Sequence, residues 1–281
     1  MSNQAIVPSE FDAAGISFTE PKKVKSRDGK NTTTRGYMLY QDKLRYWETP
    51  WIRAPFGVRA FEAKDGESSN YSLNISARAV DQNEQDLVDN WFAQWEQVDE
   101  MFTDHVLMHS KTAIGKQYKE GQREVVQALQ TRVVKAGDED ENGIPYPSRL
   151  APKISRDSDD PNRPGVAIYI GDSTEDADIA TFDELENLVG KGARVRLILQ
   201  PKLWFISGKC GIALRVLQIQ VQPTGGAKLH GFAFSQSALP VGGTANADAD
   251  ADAEEVNEEN SQVEDSGEEV EEEVDEDDLE E

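Results

Sequence analysis

The sequence predicts a mainly β chain: a small closed barrel with a helical insertion and a disordered acidic C-terminal tail. Three observations carry this. Short runs rich in aromatic and β-branched residues dominate residues 15–80 and 166–222. The hydrophobic period becomes helical only between about 84 and 135. Acids pile up at the end: residues 241–281 hold 20 of the 53 Asp and Glu residues and no Lys or Arg.

The strand runs come first. ISF, GYMLY, LRYW, IRAPFGVRAF and YSLNISARAV are punctuated by Asp28-Gly29, Pro50, Pro55 and Asp65-Gly66. The two Asp-Gly pairs fall where hairpin turns are needed. The period then changes. Leu87, Trp91, Trp95, Val98, Phe102 and Val106 recur at three- and four-residue steps, with Asp89, Glu96, Asp99 and Asp104 off that stripe. This predicts an amphipathic helix of roughly 20 residues. A second helix is expected at about 121–135, with Val125, Val126, Leu129 and Val133 as its apolar stripe.

Residues 136–165 are turn-rich and read as a loop, with a short strand at RLAPKI. VAIYI reads as a strand. Thr181 and Glu184 form a capping box ahead of a short helix that Gly190 and Gly192 stop. ARVRLILQPKLWFI and the run after it flank Ser207-Gly208-Lys209 as a turn. Strands, two helices, then strands exclude alternating βα units. About five curved strands punctuated by glycine fit the oligonucleotide-binding barrel. Residues 1–240 are read as that domain and 241–281 as the tail, whose like charges and low hydrophobicity predict disorder.

The overall charge of -24 misleads about the body. Without the tail, 33 acids face 29 bases, a balance of -4. Cys210 is the one cysteine, so no intrachain disulfide forms and an intracellular, reducing compartment is expected. MSNQAIVPSEFDAAG has neither a basic n-region nor an apolar h-region, which predicts no secretory signal. No apolar run approaches the length of a membrane helix.

Catalysis finds no support. His105 and His109 share a helical face, but HVLMH lacks a zincin glutamate and no further ligand completes a site. No phosphate-cradling glycine motif and no framed nucleophile occur. The chain is expected to be no enzyme and to need no cofactor or metal.

The charge pattern says more. From Asn187 to Ala247, 61 residues contain no acid and seven cations, with Trp204, Phe205, Phe232 and Phe234 among them. Strand parity sharpens this, because side chains alternate faces. Arg194 and Arg196 oppose Val195, Leu197 and Leu199. Lys43, Arg45 and Trp47 oppose Leu44 and Tyr46. Trp51, Arg53 and Arg59 oppose Ile52, Phe56 and Val58, and Lys202 shares a face with Trp204. Lys209 lies at the turn. Arg215 falls in phase with aliphatic Leu217, Ile219 and Val221, which places it at a strand end or beyond a bulge near Gly211. These twelve residues are the candidate DNA contacts. Cations track phosphates and rings stack on exposed bases, the chemistry of a single-strand binder. The alternative is an acidic-tailed chaperone for histones or other basic proteins, which the tail fits equally well but the basic face opposes.

TPWIRAPFG, YSLNIS, the Trp-rich helix, GKQYKEGQREVVQAL and LWFISGKCGIALRVLQIQV together resemble the single-stranded DNA-binding proteins of large nucleocytoplasmic DNA viruses, and more distantly those of short-tailed coliphages. The resemblance covers most of 35–222. It implies an oligonucleotide-binding barrel that coats unpaired DNA in replication, recombination or repair. It also implies an acidic tail that docks replication proteins such as a polymerase or helicase-primase. It is compatible with a homodimer, and with a host nucleus or a cytoplasmic viral replication site. The coliphage type ends in an aromatic residue after its acids; this chain ends Leu279-Glu280-Glu281, so that role does not carry over.

Overall fold

One bent segment, residues 47–62, closes a ring of strands by pairing at both of its ends. The computed structural model describes residues 5–25, 32–62 and 69–222. All of them belong to one compact unit, Met1–Thr224. The acidic segment 241–281, and Lys228, Phe232 and Phe234 with it, lie outside the described residues.

Strands β1 (Ile16–Phe18), β2 (Lys22–Lys25), β3 (Thr32–Arg35) and β4 (Met38–Tyr40) form two small ladders, β1 with β4 and β2 with β3. The bent segment follows as β5 (Trp47–Glu48), β6 (Ile52–Ala54) and β7 (Val58–Glu62), then β8 (Ser69–Leu73) and β9 (Ile75–Ser76). The Asp28-Gly29 and Asp65-Gly66 turns lie outside the described residues. The strands flanking each do pair, Lys25 opposite Thr32 and Glu62 opposite Ser69.

The helices α1 (Gln85–Met108), α2 (Ser110–Ala113) and α3 (Arg123–Leu129) are inserted next. After them come β10 (Gln130–Thr131), β11 (Arg149–Leu150), β12 (Lys153–Ile154), β13 (Ala167–Ile170), α4 (Phe182–Leu188), β14 (Ala193–Ile206) and β15 (Lys209–Gln222). β7 pairs with β8 and β8 with β12; β12 runs parallel to β15. β15 pairs antiparallel with β14, which returns to β6 and β5. Taking 47–62 as one strand, the order is first, second, third, fifth, fourth and first again. That is the closed five-strand order of an oligonucleotide-binding barrel, with α1, α2 and α3 inserted between its second and third strands.

The bend is possible because Gly57 has φ 68° and no side chain. A Cβ there would lie 2.4 Å from the Val189 carbonyl oxygen. The long hairpin turns through Ser207 (φ 49°) and Gly208 (φ 81°), a two-residue turn with both centres left-handed. Between Ile198 and Leu199 the β14–β15 register slips, from Gln218 to Val216, so Leu217 is an extra residue on β15.

The core joins the ring to α1. Trp91, Trp95, Val98, Phe102 and Val106 are buried as their spacing predicts. Phe11 packs against Trp47, Trp91 and Trp95, with ring centroids 6.3, 6.4 and 5.3 Å away. Two details differ from the helical reading. Asp99, expected on the polar side, is fully buried. Its carboxylate accepts hydrogen bonds from the Val133 and Val134 backbone N–H groups, which tie α1 to the next segment. The second helix ends at Leu129 rather than near 135, because Gln130 and Thr131 leave it to pair with Cys210 and Gly211 on β15. Val125 is exposed, and Val126 takes the buried position.

Candidate nucleic-acid interface

Along β14, Val195, Leu197 and Leu199 are buried, so Arg194, Arg196, Ile198, Gln200, Lys202 and Trp204 share the outer face. The pairing carries that face around the barrel. Arg59 lies opposite Ser72, Ser72 opposite Lys153, Lys153 beside Arg215, and Arg215 opposite Gln200. Each of the five barrel strands thus gives one outward residue to a single row, and three of the five are cations. At about 4.8 Å between strands, the row spans about 19 Å. Ser72 is the row's most enclosed member; its hydroxyl is buried and has no hydrogen-bond partner.

A second cationic group lies further along β14. The Arg194 and Arg196 guanidiniums are 5.1 and 5.3 Å from the Trp51 ring centroid. Arg53 stands opposite Arg194 and is exposed. This group is partly neutralised. Arg194 pairs with Glu84 at 3.3 Å and Arg196 with Glu48 at 3.1 Å. Arg196 also donates two hydrogen bonds to Gln220 Oε1, whose amide donates to the Gly171 carbonyl. Toward the hairpin tip, Lys202 is exposed opposite Ala213 and Lys209 is exposed opposite Ile206. Trp204 lies across its partner Gly211.

Three sequence-based placements change. Trp47 is fully buried, its ring 5.9 Å from Trp95 and 6.4 Å from Tyr40, and so is core rather than outer face. The parity argument failed there because residues 43–46 are not a strand. Gln41 and Asp42 turn the chain with φ 50° and 61°, and β5 begins only at Trp47. Lys43 is exposed and Arg45 half-buried, both on that irregular stretch rather than in phase with Trp47. Arg215 is half-buried on the outer face, between buried Leu214 and Val216. The bulge that resolves its phase is at Leu217, not near Gly211.

Sequence reasoning missed Lys153 and Ser72 as members of the row, set Phe56 on the face opposite Arg59, where the bend instead brings its ring under that guanidinium, and left Phe61 out of the candidate contacts. Phe56 is 41% exposed and Phe61 50%. The Arg59 guanidinium lies 4.8 Å from the Phe56 centroid. Lys153 sits on a two-residue strand too short for any periodicity. Phe61 carried a signal, a large aromatic two residues after Arg59.

Elsewhere, burial, then the charge of His109, push the His105 imidazole down to about 4. Burial pushes the Cys210 thiol up to about 12, so it is a protonated core side chain. Among the described residues no group of three His, Cys, Asp or Glu is arranged to hold a metal.

No protein-family model matches the chain, and no curated protein matches it. Solved structures do. The single-stranded DNA-binding protein from bacteriophage Enc34 in complex with ssDNA is 13% identical, with a TM-score of 0.39 over 66% of this chain and 88% of that one. A second structure of the single-stranded DNA-binding protein from bacteriophage Enc34 gives 12% identity and a TM-score of 0.34, over 74% and 96% of the two chains. The chain is also similar to gp2.5, a single-stranded DNA-binding protein encoded by bacteriophage T7, at 12% identity and a TM-score of 0.32, over 73% and 100% of the two chains.

Proposed function

We propose that the outer face of the barrel binds single-stranded DNA without sequence preference, as a coating protein of replication, recombination or repair in a viral setting, and not as an enzyme. The observation that carries this reading is the row Arg59–Ser72–Lys153–Arg215–Gln200. Cations on three of the five strands suit a phosphate backbone crossing the sheet, and such a row reads charge rather than base edges. Arg53, Arg194, Arg196, Lys202 and Lys209 extend the cationic surface beyond the row. A histone-type client would be repelled by the same face.

The acidic segment 241–281 fits into this reading as a tethered competitor. A covalently attached polyanion acts at millimolar effective concentration. It occupies the basic face when DNA is absent and is released to a basic surface of a polymerase or helicase when DNA binds.

The test is equilibrium binding of oligo-dT to the full chain and to a chain ending at Pro240, across salt concentrations. Neutralising the three phosphates matched to the row gives a log–log salt slope of about −2, and each further cation adds about −0.7. Truncation raises affinity at low salt. Failure of the truncated chain to bind at low salt overturns the DNA reading. Equal affinity of the two chains overturns the competition alone.

A further inference from the structure

Seven aromatics lie on the five barrel strands, and the structure gives six of them another occupation. Trp47 is enclosed in the core. Trp51 lies against the guanidiniums of Arg194 and Arg196. Phe56 lies under Arg59, and Tyr71 stacks flat on Phe182 at 3.5 Å. Trp204 covers Gly211, and Phe205 packs toward Phe102 at 6.1 Å.

Phe61 is left. Half its surface is exposed, and among the described residues its ring meets no other ring and no cation. Its direction is fixed by the strand. On β7, Val58 points inward with 5% exposure, so Arg59 and Phe61 point outward together. Two residues along a strand place the ring about 6.6 Å beyond Arg59. It therefore stands at the edge of the cationic row with half its surface exposed.

Resting on the single-strand reading above, we propose that Phe61 is the base-stacking platform of the interface, and that Arg59, held by Phe56, takes the adjoining phosphate. An aromatic face stacks on any base, so this platform adds affinity without sequence preference. The tryptophans serve otherwise. Trp51 is a positioning residue for two arginines, and Trp204 packs the hairpin.

The experiment uses two probes, oligo-dT and an abasic phosphodiester chain of the same length, with the full-length protein. Phe61→Ala weakens oligo-dT binding by about 5- to 150-fold, the range for loss of one base–aromatic stack, and leaves abasic binding unchanged. Phe61→Trp keeps oligo-dT affinity. Arg59→Ala weakens both probes alike and lowers the salt slope by about 0.7. Unchanged melting temperatures separate these effects from misfolding. If wild-type protein binds oligo-dT and Phe61→Ala binds it equally well, or loses both probes equally, the platform assignment is wrong while single-strand binding stands. If wild-type protein binds neither probe, the underlying reading itself fails.

Discussion

Trp204 lies on Gly211, its cross-strand partner in the long hairpin, so closely that a Cβ on the glycine would sit 2.7 Å from three atoms of the indole. The glycine is the floor on which the ring rests. Gly211→Ala forces the indole away and loosens the β14–β15 tip, where Lys202 and Lys209 are carried. The expected cost is about 1–3 kcal/mol, as for other overpacked sites. Thermal unfolding checks the cost, and tryptophan fluorescence reports movement of the ring.

Trp47 and Trp51 are four residues apart and have opposite fates. Trp47→Ala empties a fully enclosed site among Phe11, Tyr40 and Trp95, and costs about 3–5 kcal/mol. Trp51→Ala leaves the core untouched but removes the ring against which the Arg194 and Arg196 guanidiniums lie. It weakens single-strand binding with little change in unfolding free energy. Urea unfolding and oligo-dT binding of both variants check this. A Trp51→Ala variant that loses stability as Trp47→Ala does contradicts the assignment.

Asp99 makes stability depend on pH. Burial raises its carboxyl from 3.8 to about 6, overcoming the hydrogen bonds from Val133 and Val134 and the charge of Arg132. The folded state therefore holds a proton that the unfolded chain has lost between those values. Its contribution improves as pH falls through 6 and is complete below 3.8, a difference of roughly 3 kcal/mol. His105 works in the opposite sense. Its folded value of about 4 lies below 6.5, so its contribution is lost as pH falls from 6.5 toward 4. Asp99→Asn removes one arm. It is expected to destabilise more at pH 4.5 than at pH 7, measured by urea unfolding against wild type.

The long hairpin was legible because β14 alternates cleanly over residues 193–199, and the turn at Ser207-Gly208 needs left-handed residues. Arg194 and Arg196 were placed correctly for the same reason. Parity applies only inside a strand, and KLRYW is mostly not one, which is why Trp47 was misread. Arg215 was ambiguous because the extra residue at Leu217 shifts the phase, and a leucine in a bulge looks like any other. Lys153 belongs to the row only through its pairing with Ser72 and Arg215, residues distant in sequence. Asp99 looked like a surface acid because the N–H groups that donate to it come from 133 and 134, beyond the helix.

The bent segment 47–62 also sets how the chain assembles. Val58 pairs with Leu73, close to it in sequence, a contact expected to form early. Ile52 finds Val195 only after the whole helical insertion and the following loops have been threaded. Closing so large a loop is entropically slow, so the β6–β14 seam is expected to be the last to zip and the first to open. Arg53 and Arg194 face each other across that seam, while Arg59 belongs to the early one. A polyanion bridging Arg59 and the Arg53–Arg194 pair spans both. It removes the repulsion between the two arginines and adds its binding energy to the closed ring alone. For such a ring, the ligand is a kinetic latch, slowing unfolding more than it speeds folding.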